Sequence, residues 1–446
     1  MQGIGVSLRS PRSVGQLQKS LHAKAKSEPS FRFYSLWDKI CRKDILHEAY
    51  LRSRRNGGSG GADGETFARI ELSGREAWLG NLEQELRSKH YRPEPLLRVW
   101  IPKSSGGKRP LSIPTIRDRV VQMAAHLVLS PIFEADFPPS QYGFRPGLDA
   151  KMAVRRVFFH VKEHGCSEVV DADLTDYFHE IPHGDLLRSV ARRVSDGQVL
   201  KQIRSWIRSA VIERESRREH RTRNAARRSR GVAQGSPLSP LLANIYFRRF
   251  ILAWSKFGFD RRFGARVVNY ADDLVLCCRP GSGDSANAAM RELMHRLGLK
   301  VNEEKTKVVD LSTSRVDFLG YSIGRFYGRN GRPFLGTQPS KRAVSRILRK
   351  IREETSRRWM TTTPEKRVEE LNSRLRGWGG YFDQGPVLGT YQVVRDYTER
   401  RLRRWLMRRR GKKGTGYRQY PDEYLYGELG LFDLPRTRAD LTRAKA

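Results

Sequence analysis

The sequence predicts an α+β protein in which short strands carry acidic residues and a separate helical region follows. Two short β-prone segments, residues 168–174 and 267–276, each contain two closely spaced aspartates. Longer segments with apolar residues at every third or fourth position, such as residues 117–133 and 238–250, are typical of buried helices. Residues 340–410 combine helical periodicity with many arginines and lysines, which predicts a basic three-helix bundle.

The paired aspartates Asp272 and Asp273 lie between two apolar runs, which predicts a β-hairpin with the carboxylates at its bend. Mg²⁺ is typically held by one or two carboxylates together with substrate phosphates. A solvated hairpin tip is the alternative, because aspartates are common in turns. Asp171 and Asp173 point to one face of the earlier strand by its period of two. Asp173 added to the pair gives three carboxylates, enough for two Mg²⁺ ions that clamp the oxygens of a phosphoryl transfer.

Several short motifs, in the same order, resemble those of reverse transcriptases and especially of the group II intron branch of that family. Tyr270-Ala271-Asp272-Asp273 resembles their catalytic motif, and Phe318–Tyr321 resembles the hairpin that grips the primer strand. Further matches are Gln141–Gly147, Ala233–Asn244, Leu371–Phe382 and Tyr420–Leu431. The resemblance implies a right-hand polymerase with fingers, a palm built on an antiparallel sheet, and an α-helical thumb, also called the maturase domain.

The domain order implied by this resemblance has five parts. They are a basic flexible N-terminal arm at 1–30, fingers at 31–165, a palm with the catalytic site at 166–325, a helical thumb or maturase domain at 338–412, and a C-terminal tail at 413–446. The beginning of the arm lacks acidic residues, as organellar transit peptides do, but it also lacks their regular amphipathic pattern. We therefore favour an RNA-contacting arm of a bacterial cytoplasmic protein over an organellar one.

The resemblance assigns Asp173, Asp272 and Asp273 to catalysis and to the binding of two Mg²⁺ ions. Asp173 is preferred to Asp171, because Phe178 follows it at the spacing found in the family. In the family, the aromatic side chain at this position excludes ribonucleotides by occupying the place of the ribose 2′-hydroxyl. Packing of Phe178 in the core is compatible with that role, and Asp171 stays as the alternative metal ligand.

Four further residues are candidates for binding the incoming nucleotide. Residues 99–111 predict a β-hairpin with a Gly-Gly turn, and Lys103 and Arg109 flank that turn. A guanidinium and an ammonium group directed at one point suit a triphosphate, and a solvated basic hairpin is the alternative. The resemblance places Gln234 against the nascent base pair. It places Lys305 beside a catalytic aspartate or the triphosphate, with plain surface charge as the alternative.

A second set of aromatic and cationic residues is predicted to contact nucleic acid, because such groups stack on bases and neutralise phosphates. These residues are Phe144, Arg145, Tyr270, Arg374, Arg376, Trp378, Arg403, Arg404 and Arg408. The chain has 85 lysines and arginines against 48 acidic residues, a net charge of +37 that indicates a polyanionic partner. The arginine-rich segment 214–230 is either an RNA contact or a solvated loop.

The expected partners are template RNA, a group II intron RNA, a DNA primer or target, and dNTPs. No apolar run approaches the roughly 18 residues that span a bilayer, so no membrane partner is expected, and homo-oligomerisation stays open. No His/Asn/Cys endonuclease cluster follows the thumb, so integration is expected to depend on the intron RNA or a host nick. Two alternatives remain: a maturase that acts mainly as an RNA-binding splicing factor, and a domesticated relative in defence or DNA repair.

Overall fold

The computed structural model describes residues 11–102, 106–215, 218–221, 229–328, 330–437 and 440. These residues form an α+β structure, as predicted, with three sheets that are antiparallel except for one pair of strands. None of the helices in the described ranges is both long enough and apolar enough to cross a membrane.

The first part of the chain is mainly helical, and one β-hairpin interrupts it. Its helices are α1 (Arg12–Ser27), α2 (Trp37–Ile40), α3 (Lys43–Asn56), α4 (Phe67–Ser73), α5 (Arg75–Arg87), α6 (Ile116–Glu134) and α7 (Ala150–Glu163). Strands β1 (Leu96–Pro102) and β2 (Lys108–Ile113) form the hairpin. Helix α6 is buried along most of its length, because α1 and α3 pack on it. The Thr115 side chain begins this helix by accepting a hydrogen bond from the backbone N–H of Asp118 at 3.2 Å.

The predicted flexible N-terminal arm is wrong for residues 12–27, which form helix α1. Val14, Leu21 and Ala25 are buried where α1 packs on α6. Arg193 fixes the end of the helix, because its guanidinium donates a hydrogen bond to the Ala25 carbonyl at 2.6 Å. The basic composition of this segment had suggested a flexible arm. Burial of its apolar side chains instead holds the helix against α6.

The middle of the chain is built on a four-stranded antiparallel sheet. Strands β3 (Glu168–Asp173), β6 (Arg266–Tyr270), β7 (Asp273–Cys278) and β8 (Lys307–Asp310) are arranged in the order β6-β7-β3-β8. The helices of this part are α8 (Tyr177–Glu180), α9 (His183–Ala191), α10 (Gly197–Ile207), α11 (Ser239–Lys256), α12 (Phe259–Arg262) and α13 (Gly283–Arg296). Val169 and Val170 belong to different cores, because successive strand residues point to opposite faces. The sheet is therefore covered on both faces.

A second hairpin leaves this part of the chain and joins the sheet of the first. Strands β4 (Val211–Glu215) and β5 (Arg218–Arg221) extend the first hairpin into a sheet of order β2-β1-β4-β5. Strand β4 runs parallel to β1, with Leu96 opposite Val211. An ion pair between Arg98 and Glu213, at 2.9 Å, supports this contact. Strands β4 and β5 thus join the sheet of the predicted fingers, although they lie within the range predicted for the palm.

The last part of the chain combines a small sheet with the predicted three-helix bundle. Strands β9 (Arg315–Phe318), β10 (Tyr321–Tyr327) and β11 (Pro333–Pro339) precede helices α14 (Lys341–Glu354), α15 (Pro364–Tyr381) and α16 (Leu388–Arg409). The three helices share one hydrophobic core. Leu425, Leu431 and Leu434 are buried in the same core, so much of the predicted tail is an integral part of the bundle.

Candidate active site

The acidic motif lies on the predicted hairpin, at one edge of the four-stranded sheet. Tyr270 ends β6, Asp273 begins β7 and these two residues pair across the hairpin. Ala271 and Asp272 form the two-residue turn between them, and Ala271 adopts a left-handed conformation with φ of +58°. The predicted hairpin with carboxylates at its bend is therefore confirmed.

The register of the sheet brings the third aspartate to the same place. Asp173, the last residue of β3, lies directly opposite Asp273 on the neighbouring antiparallel strand. Side chains in this relation have Cβ atoms about 4.5–5.5 Å apart. Asp171 lies opposite Val275, further from the hairpin bend. The register therefore groups Asp173, rather than Asp171, with the paired aspartates.

The concentration of negative charge changes the acidity of two carboxyl groups. Loss of hydration and then the charges of Asp272, Asp171 and Asp173 raise the pKa of Asp273 to about 7. The Asp273 side chain is accessible to solvent, so we attribute this rise in pKa mainly to repulsion between the carboxylates rather than to loss of hydration. The pKa of Asp171 is raised to about 6, mainly by burial; the charge of Lys307 lowers it, and the charges of Asp173 and Asp317 contribute to the rise. The raised pKa values indicate that nearby lysine and arginine side chains do not fully neutralise the carboxylates of this site.

Lys305 provides a cation within this acidic group. Its Nζ lies 3.2 Å from a carboxylate oxygen of Asp173, which is one of the two contacts expected for it. The loop that carries Lys305 also fixes the end of β3: the backbone N–H of Asn302 donates to the Asp173 carbonyl at 2.8 Å. The Thr306 hydroxyl accepts a hydrogen bond from the Asp173 N–H at 3.3 Å.

A guanidinium from the first hairpin also acts on the carboxylates. Arg109 pairs with Ile101 in the β1–β2 hairpin and is exposed. Its positive charge lowers the pKa of Asp273 slightly, against the stronger raising effects of burial and of the other aspartates. Lys103, predicted to act beside it, lies outside the described residues.

Phe178 and Gln234 are connected through the segment that precedes α11. Phe178 is half-buried against the main core, and its carbonyl accepts a hydrogen bond from the Val232 N–H at 2.8 Å. The Gln234 carbonyl accepts a hydrogen bond from the Ser112 N–H on β2 at 2.7 Å. Its side-chain Oε1 is buried and has no hydrogen-bond partner among the described residues. The amide group of Gln234 therefore has an unused acceptor beside the β1–β2 hairpin.

The loop that contains Phe144 and Arg145 packs against the hairpin of Asp272 and Asp273, since the backbone N–H of Tyr142 donates to the Asn269 carbonyl at 2.8 Å. Of the two residues, only Phe144 is available to a strand of nucleic acid. Phe144 is 54% exposed. Arg145 is almost buried, and it donates hydrogen bonds to the Glu134 carboxylate at 2.8 Å and to the Gln141 carbonyl at 2.7 Å. The prediction that Arg145 contacts template is therefore wrong, because its donors hold the loop in place. Tyr270, which is also predicted to contact nucleic acid, is half-buried.

One of the predicted RNA contacts in the helical bundle is a structural residue instead. Arg403 is 1% exposed, forms ion pairs with Glu399 and Asp422, and donates to the Tyr420 carbonyl at 2.9 Å. Its guanidinium cannot reach a polyanion from this position, so the prediction for Arg403 is wrong. Trp378 packs against other aromatic rings but is only partly buried, so its contact with RNA stays a prediction.

The remaining predicted RNA contacts lie on the surface of the bundle. Arg404 and Arg408 are exposed on the last turns of α16. Arg376 is exposed, with its guanidinium over the Phe432 ring at 5.2 Å. Arg374 is half-exposed and pairs with Glu354 at 2.9 Å.

Sequence reasoning missed Asn269, which holds the turn between Tyr270 and Asp273 in shape. Its side chain is fully buried, and its amide nitrogen donates to the carbonyls of Ala271 at 2.8 Å and Asp273 at 3.2 Å. The available signal was a polar residue after Val267 and Val268 in an otherwise apolar strand, since buried polar groups are usually hydrogen-bonded.

The substitution Asn269→Leu is expected to reduce the rate at saturating substrate by about 10–100-fold, because misplacement of reacting groups by about 1 Å costs that much. Leucine has a similar volume and lacks both donors. It also removes the Asn269 Oδ1, which is buried without a partner among the described residues, so the loss of stability should be smaller than the loss of rate. Asn287→Leu on α13 is the control. An unchanged rate in the Asn269 variant would contradict the role.

Two family models match the chain. Residues 101–323 match the model described as reverse transcriptase (RNA-dependent DNA polymerase). Residues 344–423 match the maturase-specific domain of group II introns.

Individual relatives agree with these matches. Protein YkfC of Escherichia coli K12 is 32% identical over 71% of this chain and 90% of that protein. The group II intron-encoded protein LtrA of Lactococcus lactis is 28% identical over 62% of this chain and 43% of LtrA. An uncharacterized 91 kDa protein in the cob intron of Schizosaccharomyces pombe is 25% identical over 85% of this chain and 54% of its own length.

The chain spans most of the Escherichia coli relative and about half of the other two. The first family model covers half of the 446 residues and includes all three aspartates of the site. The chain therefore belongs to the reverse transcriptase (RNA-dependent DNA polymerase) family and carries the maturase-specific domain of group II intron proteins.

Proposed function

We propose that this protein synthesises DNA on an RNA template at the sheet edge formed by Asp173, Asp272 and Asp273. In this reaction the 3′-hydroxyl of a primer attacks the α-phosphate of a dNTP, and pyrophosphate leaves. The observation that carries the proposal is the strand register, which places Asp173 opposite Asp273 and beside the turn residue Asp272. Fingers, palm and thumb are proposed to correspond to the sheet of β1 and β2, the four-stranded sheet and the bundle of α14–α16.

The same three aspartates are proposed to hold two Mg²⁺ ions. Within the described ranges, no three His, Cys, Asp or Glu side chains are already gathered as a metal-binding group. The donor set nevertheless suits Mg²⁺, because carboxylate oxygens are its preferred protein ligands and the raised pKa of Asp273 reflects negative charge that lacks a counterion. Bound Mg²⁺ supplies stabilisation of the charge on the attacking and leaving oxygens. Lys305 would have to release the Asp173 carboxylate for an ion to bind it.

The incoming nucleotide is proposed to lie between the catalytic hairpin and the β1–β2 hairpin. Arg109 supports a contact with the triphosphate, because its charge acts on Asp273 across this gap. The unused acceptor of Gln234 supports a contact with the nascent base pair or template. Phe178 is proposed to exclude the ribose 2′-hydroxyl. A role for Lys103 stays a prediction.

Primer extension with dNTPs or NTPs, on RNA and on DNA templates, tests this proposal. We expect extension with dNTPs on RNA and at least about 100-fold discrimination against NTPs. The substitution Phe178→Val is expected to lower that discrimination by about tenfold, because a smaller side chain makes room for one hydroxyl group. Phe159→Val, on the exposed side of α7, is the control. Failure to extend any primer with dNTPs would refute the proposed activity.

A second proposed function is assistance of intron splicing through RNA binding by the helical bundle. The match of residues 344–423 to the maturase-specific domain favours it, together with exposed arginines on α16. Whether the protein still acts with an intron, or as a domesticated relative, would be decided by intron RNA structure beside the reading frame.

The double charge reversal Arg404→Glu and Arg408→Glu is expected to weaken binding of a group II intron RNA by at least about tenfold at low salt. Fewer released counterions should also reduce the slope of log K against log salt by about two. The measurement is a filter-binding titration at several salt concentrations. Reversal of Arg261 and Arg262 on α12 is the matched control. Equal weakening in both variants would indicate loss of net charge and would contradict a specific surface on α16.

A further inference from the structure

The turn that joins β9 to β10 lies against the end of thumb helix α15. Its two residues, Leu319 and Gly320, have φ values of +50° and +84°. A left-handed conformation is costly for leucine, so neighbouring contacts must maintain this turn. The Tyr381 hydroxyl supplies one of them, because it donates a hydrogen bond to the Leu319 carbonyl at 2.8 Å.

The contact between this turn and Tyr381 is reciprocal. The Tyr321 hydroxyl, at the start of β10, donates a hydrogen bond to the Tyr381 carbonyl, and the two rings have centroids 5.8 Å apart. The Lys151 ammonium group donates to the Gly380 carbonyl at 3.0 Å. Groups from the sheet and from α7 therefore fasten the last turn of α15.

Tyr381 also shares a hydrophobic cluster with the hairpin of the aspartates. Tyr381 and Tyr270, the residue before the turn of that hairpin, both pack against this cluster. Burial is the main cause that raises the pKa of Tyr381 to about 12, with smaller contributions from Tyr270, Asp149 and Asp273. A single side chain of the helical bundle thus contacts the β9–β10 turn and packs on the same cluster as the residue that precedes the turn of the aspartates.

We infer that Tyr381 is a positioning residue that sets the β9–β10 turn, and with it the primer 3′ end, relative to the catalytic aspartates. The inference rests on the proposed DNA synthesis and on the resemblance of Phe318–Tyr321 to the hairpin that grips the primer strand in reverse transcriptases. Tyr381 acts through the Leu319 carbonyl and does not contact the reacting atoms in this role. Loss of its hydroxyl should therefore loosen the primer end without altering the dNTP site.

The test is Tyr381→Phe, which keeps the ring and removes only the hydroxyl. We expect the KM for primer–template to rise about fivefold, the scale of one hydrogen bond, while the KM for dNTP changes less than about twofold. A primer with 2-aminopurine at its 3′ end should fluoresce more strongly in the complex, because its terminal base is less well stacked. Tyr391→Phe is the matched control, since that hydroxyl donates to the carbonyls of Gly379 and Phe382 at the same helix end but not to the turn.

Each outcome bears on the inference separately from the proposed function. If the wild-type protein extends primers and Tyr381→Phe matches it in primer KM and fluorescence, the positioning role is overturned and DNA synthesis stands. Equal changes in Tyr381→Phe and Tyr391→Phe would indicate a general effect on the helix end and would also overturn it. A rise in primer KM without the fluorescence change would assign Tyr381 to duplex binding alone, against the positioning role.

Discussion

Replacement of Asp272 by alanine is expected to abolish primer extension, with a loss of more than about 1,000-fold, or about 4 kcal/mol of transition-state stabilisation. Asp272 lies in the turn of the catalytic hairpin, and its side chain contributes to the negative charge around Asp273. Removal of a carboxylate from this group leaves fewer ligands for the cations that the reaction requires. The measurement is extension of a labelled DNA primer on RNA with Mg²⁺ present.

The substitution Asp171→Asn is the control, because it removes a negative charge near the site without removing one of the three proposed metal ligands. Asp171 lies on the same strand as Asp173 and opposite Val275, away from the hairpin bend. We expect this variant to retain activity within about tenfold of the wild type. Loss of activity in Asp171→Asn with retention in an Asp173→Asn variant would exchange the two assignments. Retained DNA synthesis by the Asp272→Ala variant would refute the proposed catalytic site. Because splicing assistance is proposed to depend on RNA binding by the helical bundle, we expect Asp272→Ala to leave it intact.

The substitution Arg403→Met is expected to destabilise the helical bundle by about 3 kcal/mol, because it leaves charged and polar partners of a buried guanidinium unpaired. The value lies at the lower end for such groups, since the Asp422 side chain is 57% exposed and can be hydrated. Urea denaturation of the full-length protein measures the change. Arg404→Met is the control at the neighbouring exposed position, with an expected change within about 0.5 kcal/mol. Equal stability of both variants would contradict the structural role of Arg403.

The catalytic hairpin was predictable from sequence because its pattern is local. An apolar run on each side of Asp272 and Asp273 specifies two strands and a turn, and the pairing of those strands needs no distant information. The position of Asp173 opposite Asp273 depends on long-range pairing of β3 with β7. The sequence suggested that these carboxylates converge, but only the resemblance to a known family favoured Asp173 over Asp171.

The residues of the helical bundle were less predictable, because burial there depends on a distant segment. Leu402, Trp405 and Leu406 are buried at the spacing of three or four residues that a helical pattern shows. That pattern does not show that Tyr420 and Asp422 cover another side of α16, and these are the residues that enclose Arg403. The prediction that Arg403 contacts nucleic acid failed because its partners come from a later part of the chain.

The start of helix α11 shows how a tertiary contact can override a local capping signal. Ser236 and Pro237 are residue types that often begin helices. Helix α11 nevertheless begins at Ser239, and the Ser236 hydroxyl donates a hydrogen bond to the Gln122 side chain on α6. A hydroxyl group that bonds a neighbouring helix is not available to cap its own.

The parallel pairing of β1 with β4 has a mechanical consequence. Backbone pairing of Leu96–Arg98 with Val211–Glu213, together with the Arg98–Glu213 ion pair, joins strand β4 to the hairpin that carries Arg109. Because these bonds tie β4 to β1, we expect a displacement of β4 to be transmitted to the β1–β2 hairpin. A ligand that binds to β4 would then influence a nucleotide that contacts Arg109, although β4 and Arg109 lie far apart along the chain.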